Sequence, residues 1–224
     1  RLAARLDLYE EDIRDLRGRV DSLERAALAR EGQIDEGALD EAPASTFGGF
    51  DELMLLSARR DYNEGLSLIP IEELSETFGQ IAPELSDQCT EPTSERLLAA
   101  LEIRDVGPFR ARLVRPALDS LERIFDRVEA DYPDLYEQLR TYGGFCVRLI
   151  RGSTESISRH AFGLAIDVSI GGTLDDMGDG KTQFGLIILR EYFYEEGWIW
   201  GAGFGREDSM HFEVSAELFR QWRE

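Results

Sequence analysis

The stretch SRHAFGLAID, residues 158 to 167, places a histidine seven residues before an aspartate, with a glycine between them. A histidine nitrogen and a carboxylate oxygen, as His160 and Asp167 offer, are ligands that zinc accepts. On an α-helix these side chains would lie two turns apart, about 10 Å along the axis, too far to share an ion whose ligand bonds are about 2 Å. If the pair acts together, a helix cannot carry both residues.

A turn at Gly163 that leads into a strand would bring the two residues together. Glycine accepts the backbone angles that such a turn requires, and a strand sends successive side chains to opposite faces. The alternation puts apolar residues on one face and Ala165, Asp167 and Ser169 on the other. We therefore predict that Asp167 points into a cleft to which the preceding loop returns His160.

The chain has two histidines, and the second, His211, is the candidate third ligand. In EDSMHFEV, His211 and Glu213 share one strand face, and Asp208 precedes His211 by three positions. Two histidines and one aspartate leave the fourth tetrahedral position of zinc for water, which is typical of catalytic zinc. Asp208 is then the candidate general base. The alternative is that both histidines are hydrogen-bonded structural residues.

Two arginines are candidates for the positive charge that such a site needs. Arg148 and Arg151 lie in GGFCVRLIRGS, which we predict to be the strand before the His160 loop. One of them would stabilise an oxyanion or hold a substrate carboxylate. Alternation along a strand indicates that only one of the two enters the site.

Two neighbouring features are interpreted as structural. The aromatic residues Trp198, Trp200 and Phe204 are expected to form core and cleft wall rather than a ligand platform. The acidic stretch DDMGDG resembles a calcium loop, but Met177 stands where an oxygen ligand is expected. We therefore predict a turn there.

The elements that must position these residues mix helices and strands without a βαβ alternation. Helices are indicated by PIEELSETF, by RPALDSLERIFDRVEADYP, which Pro133 ends, and by TQFGLIILREYFYEEG, which ends at Gly197. Further strands are indicated by GLAIDVSI, GWIWGAGF and MHFEV. The predicted fold class is α+β, with a small, mainly antiparallel sheet and flanking helices.

Ahead of these elements, apolar residues from Leu2 to Ala27 recur at the a and d positions of a heptad. In a parallel dimer the facing e and g residues would be opposite in charge: Arg5 with Glu10, Asp12 with Arg17, and Arg19 with Glu24. We predict a parallel homodimer through residues 2–27. The alternative is one amphipathic helix packed on its own domain, because three heptads are marginal alone.

These patterns divide the chain into four parts. Residues 1–30 form a coiled-coil helix, and 31–46 are an acidic, proline-containing linker. Residues 47–105 carry short helical signals and are expected to form an arm packing on the catalytic domain, residues 106–224.

Composition narrows the classes of partner and compartment. The 224 residues carry 45 acidic and 25 basic side chains, a net charge of −20 that disfavours nucleic acid and anionic lipid. No apolar run approaches the roughly 20 residues that span a bilayer. The chain opens on Arg1 rather than methionine, so we expect a trimmed or processed product, and removal of a signal peptide or membrane anchor is left open. Cys89 and Cys146 could pair in an exported protein, although export alone leaves the pairing open, and separate thiols are expected in a cytosolic one.

The sequence resembles the VanY-like family of zinc peptidases, the D-alanyl-D-alanine carboxypeptidases, which shares its fold with the hedgehog signalling domain. The family pattern SxHxxGxAxD is met by Ser158, His160, Gly163, Ala165 and Asp167, and the closing DxxHxE by Asp208, His211 and Glu213. VGPFR, RLIRGS and GWIWGAGF extend the resemblance over residues 84–224.

The resemblance implies a role for each of these positions. It implies zinc bound by His160, Asp167 and His211, with Asp208 as catalytic base and Arg148 stabilising the transition state. Four further residues are expected either to bind the substrate or to support the metal ligands from behind: Ser158, Arg151, Glu213 and Trp200. Many relatives carry glutamate where this chain has Asp208. Aspartate there resembles the endopeptidase branch, which includes phage and bacterial L-alanyl-D-glutamate peptidases.

The expected function is therefore hydrolysis of an amide bond in the stem peptides of peptidoglycan, by a zinc-dependent D,D-carboxypeptidase or by an L-Ala-D-Glu or D,D-endopeptidase. The expected location is the periplasm or cell envelope, with membrane anchoring through a missing N-terminus or a phage origin as further expectations. The alternative is a non-catalytic module on the same fold, dimerised by the coiled coil, that binds cell wall or protein.

Overall fold

A computed structural model describes residues 49–56 and 61–223 of the chain. The coiled coil predicted at residues 1–30 and the linker at 31–46 lie outside these residues. The dimer predicted through residues 2–27 and the division into four parts stay predictions.

The described residues form eight strands and six helices. The strands are β1 (Leu53–Leu55), β2 (Leu101–Asp105), β3 (Arg110–Val114), β4 (Leu139–Gly143), β5 (Ala165–Ile170), β6 (Lys181–Gln183), β7 (Trp198–Trp200) and β8 (His211–Val214). The helices are α1 (Ile71–Phe78), α2 (Glu95–Ala100), α3 (Arg115–Asp131), α4 (Pro133–Tyr136), α5 (Phe184–Glu195) and α6 (Ala216–Gln221). None of these helices is both long and apolar enough to cross a membrane.

The strands pair into three antiparallel sheets within the described residues. The largest has four strands in the order β4, β5, β8, β7, while β1 pairs with β6 and β2 with β3. Small antiparallel sheets flanked by helices confirm the predicted α+β class. The strands predicted in GLAIDVSI, GWIWGAGF and MHFEV are β5, β7 and β8.

The core lies between the four-stranded sheet and helices α3 and α5. The apolar residues of α3 that keep the helical period are fully buried, namely Leu118, Leu121, Phe125 and Val128. From α5, Phe193 stacks on Phe212 of β8 with ring centres 4.0 Å apart and meets the edge of Trp198. Because strand side chains alternate, His211 and Glu213 face away from this aromatic contact.

The strand predicted in GGFCVRLIRGS is wrong. The strand in this region is β4, which ends at Gly143, and the following residues make isolated pairings of Thr90 with Val147 and of Leu149 with Ile157. Strand β5 already has β4 on one side and β8 on the other, so the later segment has no edge of β5 to join. The pairing of strands in the sheet, rather than the local β propensity, therefore determines the structure of this segment.

A disulfide between Cys89 and Cys146 fastens this irregular segment, which resolves the two alternatives for the cysteines. Next to the bridge, Thr90 N–H donates to the Val147 carbonyl at 3.0 Å and Leu149 N–H to the Ser86 carbonyl at 2.6 Å. Residues 144–149 are thus held to residues 86–90 rather than to the large sheet.

Residues 62–69 lie along β7 and the helices beside it. The Asn63 side chain donates to the Trp200 carbonyl at 3.0 Å and accepts from the Trp200 N–H at 2.8 Å. Ser67 N–H and hydroxyl both donate to the Glu217 carboxylate. These contacts fix the start of the chain segment that leads from β7 to the second histidine.

Candidate metal centre

Three predicted ligands converge on one point of the large sheet. Asp167 on β5 lies directly opposite His211 on β8, so their side chains are neighbours on one face. His160 belongs to a single 3-10 turn, Arg159–Phe162, that precedes β5. The Asp167 Oδ1 atom is 3.1 Å from His160 Nε2 and 3.0 Å from His211 Nδ1, and the two ring nitrogens are 3.1 Å apart.

The turn between His160 and Asp167 depends on Gly163, as predicted. Its backbone is left-handed, with φ of +66°, and a Cβ atom there would stand 2.7 Å from Leu101 and 3.1 Å from the Val114 nitrogen. Any other residue would therefore be strained as well as crowded. Strand β5 begins two residues later and carries Asp167 on the face toward the histidines.

The outer hydrogen bonds of the two imidazoles determine which nitrogens face the centre. His160 Nδ1 is 2.6 Å from the Gly144 carbonyl, which can only accept, so this nitrogen carries the proton. His211 Nε2 lies 2.9 Å from a Glu213 carboxylate oxygen and donates to it. Once the inner nitrogens are free of protons, each ring therefore turns a lone pair inward, His160 through Nε2 and His211 through Nδ1, beside the Asp167 oxygen.

Three inward electron pairs of this kind fit a divalent cation. Ligand bonds of about 2.0–2.1 Å in a tetrahedron put ligand atoms about 3.3–3.4 Å apart, close to the 3.0–3.1 Å found here. Two imidazole nitrogens and one carboxylate oxygen form a donor set that suits zinc. Among the residues described, His160, Asp167 and His211 are the group whose ligand atoms could hold a metal.

The neighbours of Asp167 and His211 shift the pKa values of both side chains. Burial raises the pKa of Asp167, but the charges and hydrogen bonds of His160 and His211 outweigh it and hold that pKa well below its usual range. Burial lowers the pKa of His211, yet hydrogen bonds to Asp167 and Glu213 raise it to about 10. Because His211 holds a proton up to a high pH, a metal ion that binds its Nδ1 atom must displace that proton.

Asp208 is brought to the same centre by the turn before β8. Its N–H donates to the Gly201 carbonyl at 3.0 Å, and its own carbonyl accepts from the His211 N–H at 3.1 Å. Burial raises the pKa of Asp208, the positive His211 lowers it, Asp167 raises it further, and the net shift is upward. A half-buried carboxylate with a raised pKa is better matched to proton transfer near neutral pH than an exposed one.

Of the two arginines, Arg148 is the one that interacts with the centre. Burial lowers its pKa and Arg151 lowers it further, while Asp167 and Asp208 act in the opposite direction. Its Nη1 donates to the Leu149 carbonyl at 3.0 Å. Arg151 is exposed.

Ser158 and Trp200 are both buried and hydrogen-bond to main-chain carbonyls. Ser158 is buried and its N–H donates to the Arg148 carbonyl at 3.2 Å, which links the arginine to the start of the His160 turn. The Trp200 indole is buried and donates to the Ser209 carbonyl at 2.6 Å. The ring of Phe204 lies 5.9 Å from that of His211, where it forms a wall of the site.

Two contributors were missed by sequence reasoning. The Gly144 carbonyl that fixes His160 is a main-chain atom, and its only sequence signal is the glycine pair at 143–144. Arg159 lies between two motif residues and reaches Glu213, the partner of the other histidine. A charged residue inside a ligand motif was the available signal for that contact.

Fold and site together define an α+β protein with a cluster of two histidines and one aspartate that could hold a metal ion. Residues 151–214 match the model of a family described as D-alanyl-D-alanine carboxypeptidase, the VanY-like zinc peptidases. The match confirms the family resemblance over these residues and supports a peptidase. It includes the three ligands, Asp208 and Glu213, and begins three residues after Arg148. No curated protein and no solved structure matches the chain.

Proposed function

We propose that this protein is a zinc-dependent peptidase that hydrolyses an amide bond in the stem peptides of peptidoglycan. The observation that carries the proposal is the set of three ligand atoms 3.0–3.1 Å apart, each held by its own partner, inside a segment that matches a peptidase family. His160, Asp167 and His211 would hold the zinc ion. When bound, zinc polarises a scissile carbonyl and makes a water molecule acidic enough to react at neutral pH.

Residues of the chain would carry out the proton transfer, stabilise the developing charge and bind the substrate. Asp208, whose pKa is raised, accepts a proton from the attacking water and delivers it to the leaving amine. Arg148 supplies positive charge opposite the negative charge that develops on the carbonyl oxygen. Ser158 and Trp200 support the segments that carry these groups, while the exposed Arg151 is available to a substrate carboxylate.

The bond that is cut belongs to one of two types. A D,D-carboxypeptidase removes the terminal D-alanine, and an endopeptidase cuts inside the stem, at L-Ala-D-Glu or at a D,D cross-link. Aspartate at position 208 favours the endopeptidase branch, on the family resemblance alone.

Digestion of purified muropeptides followed by mass spectrometry tests the proposal and names the bond. The zinc-loaded protein is expected to change the mass of stem peptides, and the chelated protein is expected to leave them intact. If the zinc-loaded protein leaves the stems unchanged where a known relative cuts them, it is not a peptidase of this type. A non-catalytic module that binds cell wall would then be the better account.

We further propose an extracytoplasmic location and a parallel dimer through residues 2–27. The Cys89–Cys146 disulfide supports an oxidising compartment, because such bonds persist outside the cytoplasm. Free thiols on the protein isolated from its host would count against this location. Sedimentation of the full chain at micromolar concentration tests the dimer, and a monomer alone would contradict it.

A further inference from the structure

Arg159 lies next to one histidine in sequence and contacts the partner of the other. Its Nε atom is 3.8 Å from Glu213 Oε1; the Arg159 side chain is 14% exposed and the buried Glu213 side chain 6%. The second oxygen of the same carboxylate accepts from His211 Nε2 at 2.9 Å. Arg159 therefore lies one contact behind a predicted zinc ligand.

The other end of the guanidinium is fixed to residues outside the centre. Arg159 Nη2 donates to the Ile69 carbonyl at 2.6 Å. Ile69 is fully buried just ahead of α1, so this carbonyl has a defined position. A planar guanidinium held at one nitrogen presents its remaining N–H groups in a fixed direction. Here that direction is toward Glu213.

Arg159 and Glu213 form an ion pair through one atom of each side chain. Arg159 Nε and Glu213 Oε1 are both buried and have no hydrogen-bond partner in the structure, so each is compensated by the charge of the other. Removing one member of a buried pair leaves the other as an uncompensated charge, which is far more costly than losing an exposed pair. Arg159 therefore supplies the positive charge that faces the Glu213 oxygen not bonded to His211.

We propose that Arg159 is a positioning residue for the metal centre, acting through Glu213 on His211. By holding the carboxylate, it keeps the His211 Nε2 proton directed outward and the Nδ1 lone pair directed at the metal. The chain of contacts runs from Ile69 through Arg159 and Glu213 to His211. The inference rests on the zinc site of the proposed function, but does not require that any peptide be cut.

Zinc affinity and histidine tautomers test this role directly. In Arg159→Gln the dissociation constant for zinc, measured by competition with a chromogenic chelator, is expected to rise about tenfold, the low end for loss of an outer partner. The chain has two histidines, so a ¹H–¹⁵N spectrum of their rings contains two spin systems. With zinc bound, His211 of the wild type is expected to show a single Nε2–H form and to lose it in the variant, while His160 keeps its Nδ1–H form.

Two further variants complete the experiment. Arg159→Lys retains the charge but cannot hold Ile69 and Glu213 with one planar group, so its zinc affinity should fall between those of wild type and Arg159→Gln. If Arg159→Gln fails to fold, Arg159→Lys still allows the role of Arg159 to be tested. The matched control is Arg220→Gln, which removes an exposed arginine paired with Glu73 and should leave zinc affinity unchanged.

A zinc dissociation constant within twofold of wild type, with an unchanged His211 spectrum in a folded Arg159 variant, would overturn the role of Arg159. This result differs from failure of the proposed function. Wild-type protein that binds zinc but leaves muropeptides intact would remove the peptidase and leave the role of Arg159 standing. Zinc affinity that falls equally in Arg220→Gln would also overturn the role, because the effect would then come from total charge.

Discussion

The two histidines of the metal centre are supported in different ways. His160 donates to the main-chain carbonyl of Gly144, whereas His211 donates to the side-chain carboxylate of Glu213. The first support has no net charge and cannot be deleted by a substitution, because every residue has a carbonyl. The second carries a charge, gives the stronger kind of hydrogen bond and can be removed by one substitution.

The difference extends one contact further out. The Gly144 segment is fastened by the Cys89–Cys146 disulfide, and the Cys146 N–H also donates to the His160 carbonyl at 3.1 Å. Glu213 is paired instead with Arg159. One ligand therefore depends on covalent and backbone geometry, and the other on buried charge. Perturbations of the two kinds should be separable in the same molecule.

The largest effect on activity is expected from substitution of Asp208, which leaves the Gly144 support of His160 and the Glu213 support of His211 unchanged. Asp208→Asn should lower the rate of stem-peptide hydrolysis on the order of 10²–10⁴-fold, because it removes the general base but keeps the size of the side chain. Zinc affinity should stay within a few-fold of wild type, since both histidine supports are intact. Parallel assays of muropeptide turnover and chelator competition measure the two quantities.

The pH dependence of the wild-type rate is a second test of Asp208 as the general base. Burial raises its pKa, and the base acts only when ionised, so kcat/KM should fall on acidification at a higher pH than for an ordinary aspartate. This decrease in kcat/KM at acidic pH should be absent from the residual activity of Asp208→Asn. An acidic limb that is the same in both proteins would assign it to another group and remove Asp208 as base.

The next largest effect is expected on stability, from loss of the disulfide. The bridge closes a loop with a sequence separation of 57 residues, for which the chain-entropy model gives about 4 kcal/mol of unfolding free energy. The variant with Cys89→Ser and Cys146→Ser should unfold at correspondingly lower denaturant. Its His160 ring signals should shift because Gly144 and Cys146 are less firmly held, while those of His211 stay in place.

Reduction of the wild-type protein is the control for this experiment. It should reproduce both the lower stability and the His160 shift, and reductant should have no effect on the double variant. If the His211 signals shift as strongly as those of His160, the two supports are not separate and the comparison fails.

The sequence predicted the inner part of this centre but not its outer part. The period of β5 placed Asp167 on the open face, and the need for a turn identified Gly163, because both follow from local backbone geometry. The Gly144 carbonyl has no side-chain signature. The contact of Arg159 with Glu213 spans 54 positions and depends on how the 3-10 turn packs beside β8. Such partners are set by tertiary packing, which periodicity does not encode.

The error at residues 143–153 has the same origin. The segment has the β-branched and aromatic residues of a strand, yet the position beside β5 is taken by β4. Pairing of Cys89 with Cys146 was likewise undecided from spacing, because the bridge depends on the fold bringing residues 86–90 to residues 144–149.

A smaller effect is expected from moving the main-chain support without removing it. In Gly144→Ala the new Cβ would stand 3.0 Å from Leu113 and 3.3 Å from both the Arg112 carbonyl and Ile166, so these neighbours or the Gly144 backbone must move by a few tenths of an ångström. Such overpacking typically costs about 1–3 kcal/mol. Zinc affinity should fall a few-fold as the carbonyl moves away from His160.

Gly205→Ala is the matched control, because a Cβ there would have no neighbour within 4 Å. Thermal unfolding and chelator competition on both variants measure the two effects. Equal losses in Gly144→Ala and Gly205→Ala would mean that the position of the Gly144 carbonyl is not what holds His160.

The smallest effect is expected from an exposed ion pair of the same chemical type as Arg159 with Glu213. Glu73 pairs with Arg220 at 2.9 Å and with Arg223 at 3.4 Å, and both arginine side chains are about half exposed. Glu73→Gln should change the melting temperature by about 2 °C or less and leave zinc affinity unchanged. Calorimetry and chelator competition measure these quantities.

The direction of the pH dependence for this pair follows from Glu73. Its hydrogen bond with Arg220 lowers its pKa below the unfolded value, so the stabilisation is present above the unfolded pKa and disappears as the pH falls through the folded one. The difference in melting temperature between wild type and Glu73→Gln should therefore vanish in acid. If Glu73→Gln weakened zinc binding as much as Arg159→Gln, the support of His211 would depend on overall charge rather than on the buried contact, and its contrast with His160 would be lost.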